Sequence, residues 1–385
     1  FTFVSGAIAT VTGIMVSQYM GRQEQKKINT SMSSNLLVML ALAALTVMAC
    51  FFLPSTVAGI FTTDQKVIAT AADYMRILAF IYPLSGMASI LAVHMRCYSY
   101  AQYPLYISAV GAVVNTVLNY LLIFGNFGFP VMGVKGAAIA SLISQMVNLL
   151  LMIYFYRKYC QFAFDLGMTS SEVKQYAVML FPIVANELLW TLGQSVNTFI
   201  YGHMGTGELA GMSSTGPIQG LFIGALSGLS QAAGILIGRR LGKRDYESAY
   251  HDSKRLCVYG FIGSLVLSLV LILTRSSYIN LYNVDEQVSH VGSQLLLAFA
   301  ILAPIKVQNM ILGGGIIRSG GRTKYIMIID MMGTWLIGVP LGLFTGLVLK
   351  LPIVWVYFIL SQEELFRFIV SIFMFRSRKW MNTIR

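Results

Sequence analysis

Charge is what this sequence has least of. Only 11% of its 385 residues are Asp, Glu, Lys or Arg, and 15 of them are acidic, whereas soluble domains carry about 25% charge. A surface that poor in ions is not built for water, which excludes an ordinary soluble domain. Cysteine and histidine are also scarce, at four each. Cys50 falls inside an apolar run, and Cys97, Cys160 and Cys257 lie near basic segments. With no Cys-x-x-Cys spacing they form no disulfide framework, and reduced thiols are expected. His94, His203, His251 and His290 are scattered, so no zinc site is expected and an enzyme of that kind is disfavoured. Gly313-Gly-Gly315 lacks a preceding strand and a Lys-Ser/Thr ending, so it reads as close helix packing and not as a phosphate loop.

Apolar residues fill the space. They make up 56% of the chain, with a mean hydropathy of +0.71. About eleven runs approach the roughly 20 residues that cross a bilayer as a helix: 2–18, 35–53, 74–94, 105–124, 136–156, 177–201, 216–237, 256–274, 292–316, 326–348 and 352–374. The runs are continuous, unlike the alternating strands of a barrel, so helices are expected. The net charge of +12 does not point to nucleic acid, because its distribution is one-sided. Of the 27 Lys and Arg, 20 fall in alternate loops and the C-terminal tail, as in Arg239-Arg240, Lys243-Arg244 and Arg378-Lys379. That asymmetry places the C-terminus in the cytoplasm.

The chain also repeats itself. Gly13, Ile14 and Gly21 recur 221 residues later as Gly234, Ile235 and Gly242. The same offset carries Asp64 to Asp285, Val67 to Val288, Pro83 to Pro304, Gly125 to Gly346 and Arg157-Lys158 to Arg378-Lys379. A period this long marks a duplicated domain, and two copies of a helical bundle are the usual plan of a secondary transporter. The run at 177–201 has no counterpart in the first copy, so a first helix is expected to be missing from lobe one. The expected fold is an all-α polytopic membrane protein of two six-helix lobes, that first helix absent. A pseudo-two-fold axis along the membrane normal relates them, with a cleft between. The N-lobe covers 1–160 with helices two to six, and a polar cytoplasmic linker covers 161–174. The C-lobe covers 175–385 with helices seven to twelve and a basic tail.

Several segments together resemble the multidrug and toxic compound extrusion (MATE) transporters. They are Asn115 to Gly125 with Gly128, Pro130, Gly133 and Gly136-Ala-Ala-Ile-Ala140; Phe181-Pro182 with Asn186-Glu187-Leu-Leu-Trp190 and Met204-Gly205-Thr206; Arg318-Ser-Gly320-Gly321-Arg-Thr323-Lys324; and Glu363-Glu364 through Trp380. The resemblance covers the whole chain. It implies a transporter, with a coupling carboxylate on the seventh helix. In many relatives that acid lies about one turn deeper, where this chain has Trp190. An acid common on helix ten is replaced here by Lys306 with Gln308 and Asn309, and an aspartate common on helix one belongs to the missing segment.

A carboxylate in hydrocarbon is expensive unless paired, protonated or wet, so Glu187 is the first candidate. Asn186, Trp190, Thr191, Gln194, Asn197, Thr198 and Tyr201 accompany it at helical spacing. Two readings stand side by side: a proton- or cation-binding acid, or a structural role as a pair with Lys306 or in a satisfied interhelical hydrogen bond. Asn115 and Asn119 on helix five, with Ser141, Ser144, Gln145 and Asn148 on helix six, are membrane amides and hydroxyls. Such groups either glue helices or line a wet path. Tyr82, Ser85 and Ser89 add a polar edge on helix four. Glu363, Glu364 and Arg367 read as a charge-compensated structural cluster, Glu363 to Arg367 being i,i+4 with the acid first. Asp330 is either an edge partner for a nearby base or a cavity residue. Arg76 with Asp73 reads as an interfacial pair.

The function expected is antiport: export of amphipathic or cationic organic compounds against H+ or Na+ by alternating access in the plasma membrane. No cofactor is implied beyond the coupling ion, and the partners are the small-molecule substrate and lipid, with the chain a monomer. The alternatives are a flippase of lipid-linked saccharides, which needs a more basic cleft, and a membrane-embedded transferase, which needs a clustered His/Asp/Arg motif.

Overall fold

A chain with long apolar runs and few breakers folds as helices wherever the breakers allow. The computed structural model describes residues 1–59, 62–282 and 285–384. Among them it is helical almost throughout, with no strand. The chain divides into two compact units, Phe1–Val173 and Lys174–Arg385.

The first unit holds α1 (Thr2–Arg22), α2 (Gln25–Phe52), the short α3 (Pro54–Gly59), α4 (Gln65–Leu78), α5 (Ile81–Cys97), α6 (Gln102–Phe124) and α7 (Gly133–Tyr159). Helix α1 ends on Gln23 in the left-handed region at φ 61°, and α6 ends on Gly125 at φ 71°, a backbone shape that glycine adopts freely. Asp64 starts α4 by accepting from the amides of Lys66 at 2.8 Å and Val67 at 3.4 Å, which satisfies donors the helix leaves open. Its repeat partner Asp285 also sits at a helix start, without a side-chain cap. Helices α1, α2 and α5 pack together, and α6 packs on α7. That last contact is close: a Cβ on Gly136 would lie 2.5 Å from the Leu122 carbonyl oxygen.

The second unit carries most of α8 (Ser170–Met204), then α9 (Thr206–Gly242), α10 (Tyr246–Ile279) and α11 (Glu286–Asn309). A π-helical turn over Met310–Ile317 continues α11. Next come α12 (Thr323–Met331), a π turn over Met332–Gly338, α13 (Val339–Leu343), a third π turn over Phe344–Val348, α14 (Ile353–Leu360) and α15 (Gln362–Arg376). The glycine run 313–315 lies in the first π turn, and a Cβ on Gly315 would stand 2.5 Å from the Ser230 carbonyl on α9. Close packing is therefore its use. The tail folds back on its own unit: Trp380 is fully buried and donates from Nε1 to the Phe375 carbonyl at 3.0 Å.

Nine helices among the described residues are long and apolar enough to cross a membrane, and α4 with α5, bent by 41°, makes a tenth. The sequence suggested an eleventh continuous run at 352–374. The structure breaks it at Ser361 into α14 and α15, and the charges of Glu363, Glu364 and Arg367 open the second piece. The polar linker starts α8 with a capping box. The Thr169 amide donates to Glu172 Oε2 at 2.8 Å and the Glu172 amide to Thr169 Oγ1 at 3.3 Å.

Candidate functional site

Each unit brings polar side chains together between its helices. In the first, α4, α5, α6 and α7 line an open cavity of about 540 Å³, within the size range of small-molecule sites. Asn115, Ser141, Ser144, Gln145 and Asn148 line it, with Tyr74 and Tyr82 on the facing helices. Asn115 is the centre of the hydrogen bonding. Its Nδ2 donates to Ser141 Oγ at 3.4 Å and Ser144 Oγ at 3.5 Å, while its Oδ1 accepts from Asn119 Nδ2 at 3.1 Å. Asn119 is thus a support for Asn115 and not part of the lining. Gly111, one turn before Asn115, leaves room for the Asn148 amide: a Cβ there would be 3.3 Å from its Nδ2. Tyr74, Ser108 and Gly111 were not among the sequence candidates. The i,i+4 spacing of Gly111 and Asn115 was the available signal.

The second unit gathers charge. On α15, Arg367 lies 3.4 Å from Glu363 and 4.0 Å from Glu364, and it reaches Asp330 on α12 at 3.9 Å. It also donates to the Thr334 hydroxyl from the second π turn. Lys306 on α11 pairs with Glu364 at 3.8 Å. Asn309, one turn on from Lys306, donates to both the Glu364 carbonyl and its Oε2 at 2.8 Å. Asn186 on α8 completes the network by donating to Asp330 Oδ2 at 2.8 Å. Glu363, Glu364 and Arg367 are each less than 10% exposed.

These contacts correct one expectation. The structural partner weighed for Glu187 was Lys306, but Lys306 pairs with Glu364. Glu187, on the same helix as Asn186, is half-buried, and among the described residues its carboxylate makes no hydrogen bond or ion pair within 4.0 Å. Its backbone carbonyl accepts from the Thr191 hydroxyl at 2.8 Å. The rest of the stripe on α8 divides. Asn197 and Tyr201 are buried, Gln194 is partly buried, and Trp190 is 42% exposed. Asp330, left open by the sequence, is a partner of both Arg367 and Asn186. Asp73 pairs with Arg76 at 3.7 Å as expected and with Lys135 at 2.8 Å as well.

The family model described as MatE matches residues 1–121 and 182–344. The chain belongs to the MatE family. It is 24% identical to "Uncharacterized transporter YisQ" of Bacillus subtilis (strain 168), over 97% of this chain and 83% of that protein. It is 24% identical to "Probable multidrug resistance protein NorM" of Bacillus licheniformis, over 90% of this chain and 77% of that one. A solved outward-facing conformation of a multidrug resistance MATE family transporter superposes with a TM-score of 0.89 at 16% identity, covering 98% and 85% of the two chains. A MATE crystal structure in the bent conformation gives 0.85 at 16% identity, over 98% and 84%. The all-α two-lobe MATE fold is therefore this chain's fold, and MatE membership makes it a membrane transporter and not an enzyme.

Proposed function

We propose that this MatE protein is a secondary active antiporter of the plasma membrane. It works as a monomer and exports amphipathic or cationic organic compounds in exchange for H+ or Na+ by alternating access. One observation carries the reading. Asp330, Glu363 and Glu364 all have cationic partners within 4.0 Å, whereas the Glu187 carboxylate on α8 has no such ion pair among the described residues and only the more distant Arg318 in electrostatic reach. An intramembrane acid without a close ion pair is free to take a coupling ion, and that ion relieves the cost of its charge. The lobe-one cavity, with tyrosine rings and amides but an apolar edge from Leu78, Ile81 and Ala112, suits an amphipathic ligand. Relatives named as probable multidrug resistance proteins favour efflux over other cargo. For coupling, ion and substrate must prefer different states of the protein.

The test is efflux of a fluorescent organic cation from cells making the protein, under imposed proton or sodium gradients, with wild type beside Glu187→Gln. Gradient-driven efflux that the substitution abolishes supports the reading. Undiminished efflux returns Glu187 to a structural role, and no gradient-driven efflux of any cation shifts the weight to lipid-linked saccharides.

A further inference from the structure

The linker between α7 and α8 is polar only in part. The chain forms no helix from 160 to 169, and Phe162, Phe164, Leu166 and Met168 alternate there with smaller or polar residues. An alternation of period two gives an extended segment two unlike sides. The polar side is fixed to the lobe. The Asp165 carboxylate accepts from the Thr30 hydroxyl on α2 at 2.9 Å, and the Asp165 amide donates to Ser33 Oγ at 3.0 Å. Phe162 packs edge-on against Tyr156 of α7, with ring centroids 6.2 Å apart. Phe164 and Leu166, on either side of Asp165, are 60% and 52% exposed.

The segment lies at the level where the lobe's lipid-facing surface ends. The exposed stripe of α7, Met146, Leu150 and Tyr154, stops at the exposed Arg157 and Lys158, as spanning helices stop at the headgroups. Beside that pair, Tyr103 and Tyr159 stack at 4.5 Å and Tyr100 joins Tyr159 at 5.1 Å. Lys158 Nζ stands 5.4 Å over the Tyr159 ring, and such aromatic belts mark the membrane–water boundary. On α2 the linker is pinned at Thr30 and Ser33, and the exposed Leu37 and Val38 begin one turn beyond. The Phe164 and Leu166 amides make no hydrogen bond among the described residues. Hydrocarbon penalises that state, whereas hydrated headgroups relieve it.

We propose that residues 162–166 are a lipid-anchored strap. Phe164 and Leu166 enter the headgroup layer, the headgroups of anionic phospholipids meet Arg157 and Lys158, and Asp165 holds the strap to α2. The apolar side continues the lipid-facing surface of α2 and α7, and the flanking cations complement an anionic membrane surface. Two apolar side chains beside a helix pin make a shallow anchor and not a span. A second copy of this chain is a poor occupant, because a stable protein interface covers roughly 800 Å² per partner, far more than two side chains present. The bilayer surface thereby acts on the segment that leads into α8.

Nitroxide labels on Phe164→Cys, Leu166→Cys and Ala163→Cys test this in nanodiscs of mixed phosphatidylglycerol and phosphatidylcholine. The native cysteines are buried or half-buried, and the chain labelled without an added cysteine gives the background. Power saturation compares relaxation by oxygen, which concentrates in lipid, with relaxation by a water-soluble nickel chelate. Oxygen is expected to outweigh nickel at 164 and 166, and nickel to outweigh oxygen at 163, which is exposed on the other side. In phosphatidylcholine alone the oxygen-to-nickel ratio at 164 is expected to fall, and an unchanged ratio overturns the contact of Arg157 and Lys158 with anionic headgroups. Nickel dominance at all three positions leaves the strap in water and overturns the proposal. Protection of 164 and 166 from both reagents means that protein covers them, which overturns it as well. None of these readings needs transport, so the strap and the antiport reading fall separately.

Discussion

Asn186 on α8 donates to Asp330 on α12 at 2.8 Å, across 144 residues of sequence. This bond ties the helix that carries Glu187 to the arginine-centred network, because the other oxygen of Asp330 faces Arg367. Asn186 is buried, whereas the Asp330 side chain is 25% exposed.

Asn186→Ala therefore leaves Asp330 short of a donor at a partly exposed position, where water replaces the bond only in part. The expected loss is about 1 kcal/mol, read as a lower thermal midpoint of the detergent-purified protein. Ser195→Ala, on an exposed position of the same helix, leaves the midpoint where it was.

Arg367 is the shared cation of three acids, and its loss strands at least one of them. Arg367→Gln is expected to cost about 3–5 kcal/mol. The rescue has a direction. Adding Glu363→Gln, which removes the acid nearest the lost guanidinium at 3.4 Å, restores more than adding Asp330→Asn, whose carboxylate lies at 3.9 Å and is partly exposed. A double-mutant cycle on thermal unfolding measures both pairings, and equal rescue by the two would place the stranded charge elsewhere.

In lobe one, lining and support separate. Gln145 faces the cavity and makes no hydrogen bond to another side chain among the described residues, whereas Asn119 holds Asn115 in place. Gln145→Ala is expected to weaken binding of a fluorescent cation with less than about 0.5 kcal/mol change in stability. Asn119→Ala should lower stability by about 1 kcal/mol with a smaller effect on binding. Calorimetric melting beside a binding titration distinguishes them.

The linker gives a pH signature outside the membrane spans. The Asp165 carboxylate accepts from the Gly167 amide and the Thr30 hydroxyl, both at 2.9 Å, and the Asp165 amide donates to Ser33 Oγ at 3.0 Å. The Gly167 bond first and the Thr30 bond second hold its pKa below the ordinary 3.8. A depressed carboxylate contributes stability that is complete above the unfolded value and fades as pH falls through the folded one. Hydrogen-exchange protection of the Gly167 amide, corrected for intrinsic rates, should hold from neutral pH to about pH 4 and decline below it. Asp165→Asn should have low protection at every pH.

Much of the fold was legible because hydropathy is local. The apolar runs, the basic loops and the 221-residue offset need no contacts to be read, and ten of the eleven runs have a matching long helix or bent helix pair. The last run is covered by α14 and α15, which the single residue Ser361 separates, with the Glu364 amide on the Ser361 carbonyl at 3.0 Å. The lobe-one polar set was also legible. Asn115, Gln145 and Asn148 stood out as amides in otherwise apolar helices, and they line the same cavity.

Partnership was not legible. Glu187 and Lys306 looked like natural counterions, yet Lys306 faces Glu364 and Asn309 does too. The reason is rotational. A helix that is apolar all round has no amphipathic stripe to say which way it turns. A π turn such as Met332–Gly338 adds a residue and rotates the next stretch of helix by about 100°. The sequence by itself determined that acids and amides lie in the membrane and on which helices. Only the tertiary structure decided which of them are paired and which stand alone, because that depends on helix rotation and local winding, which hydropathy does not encode.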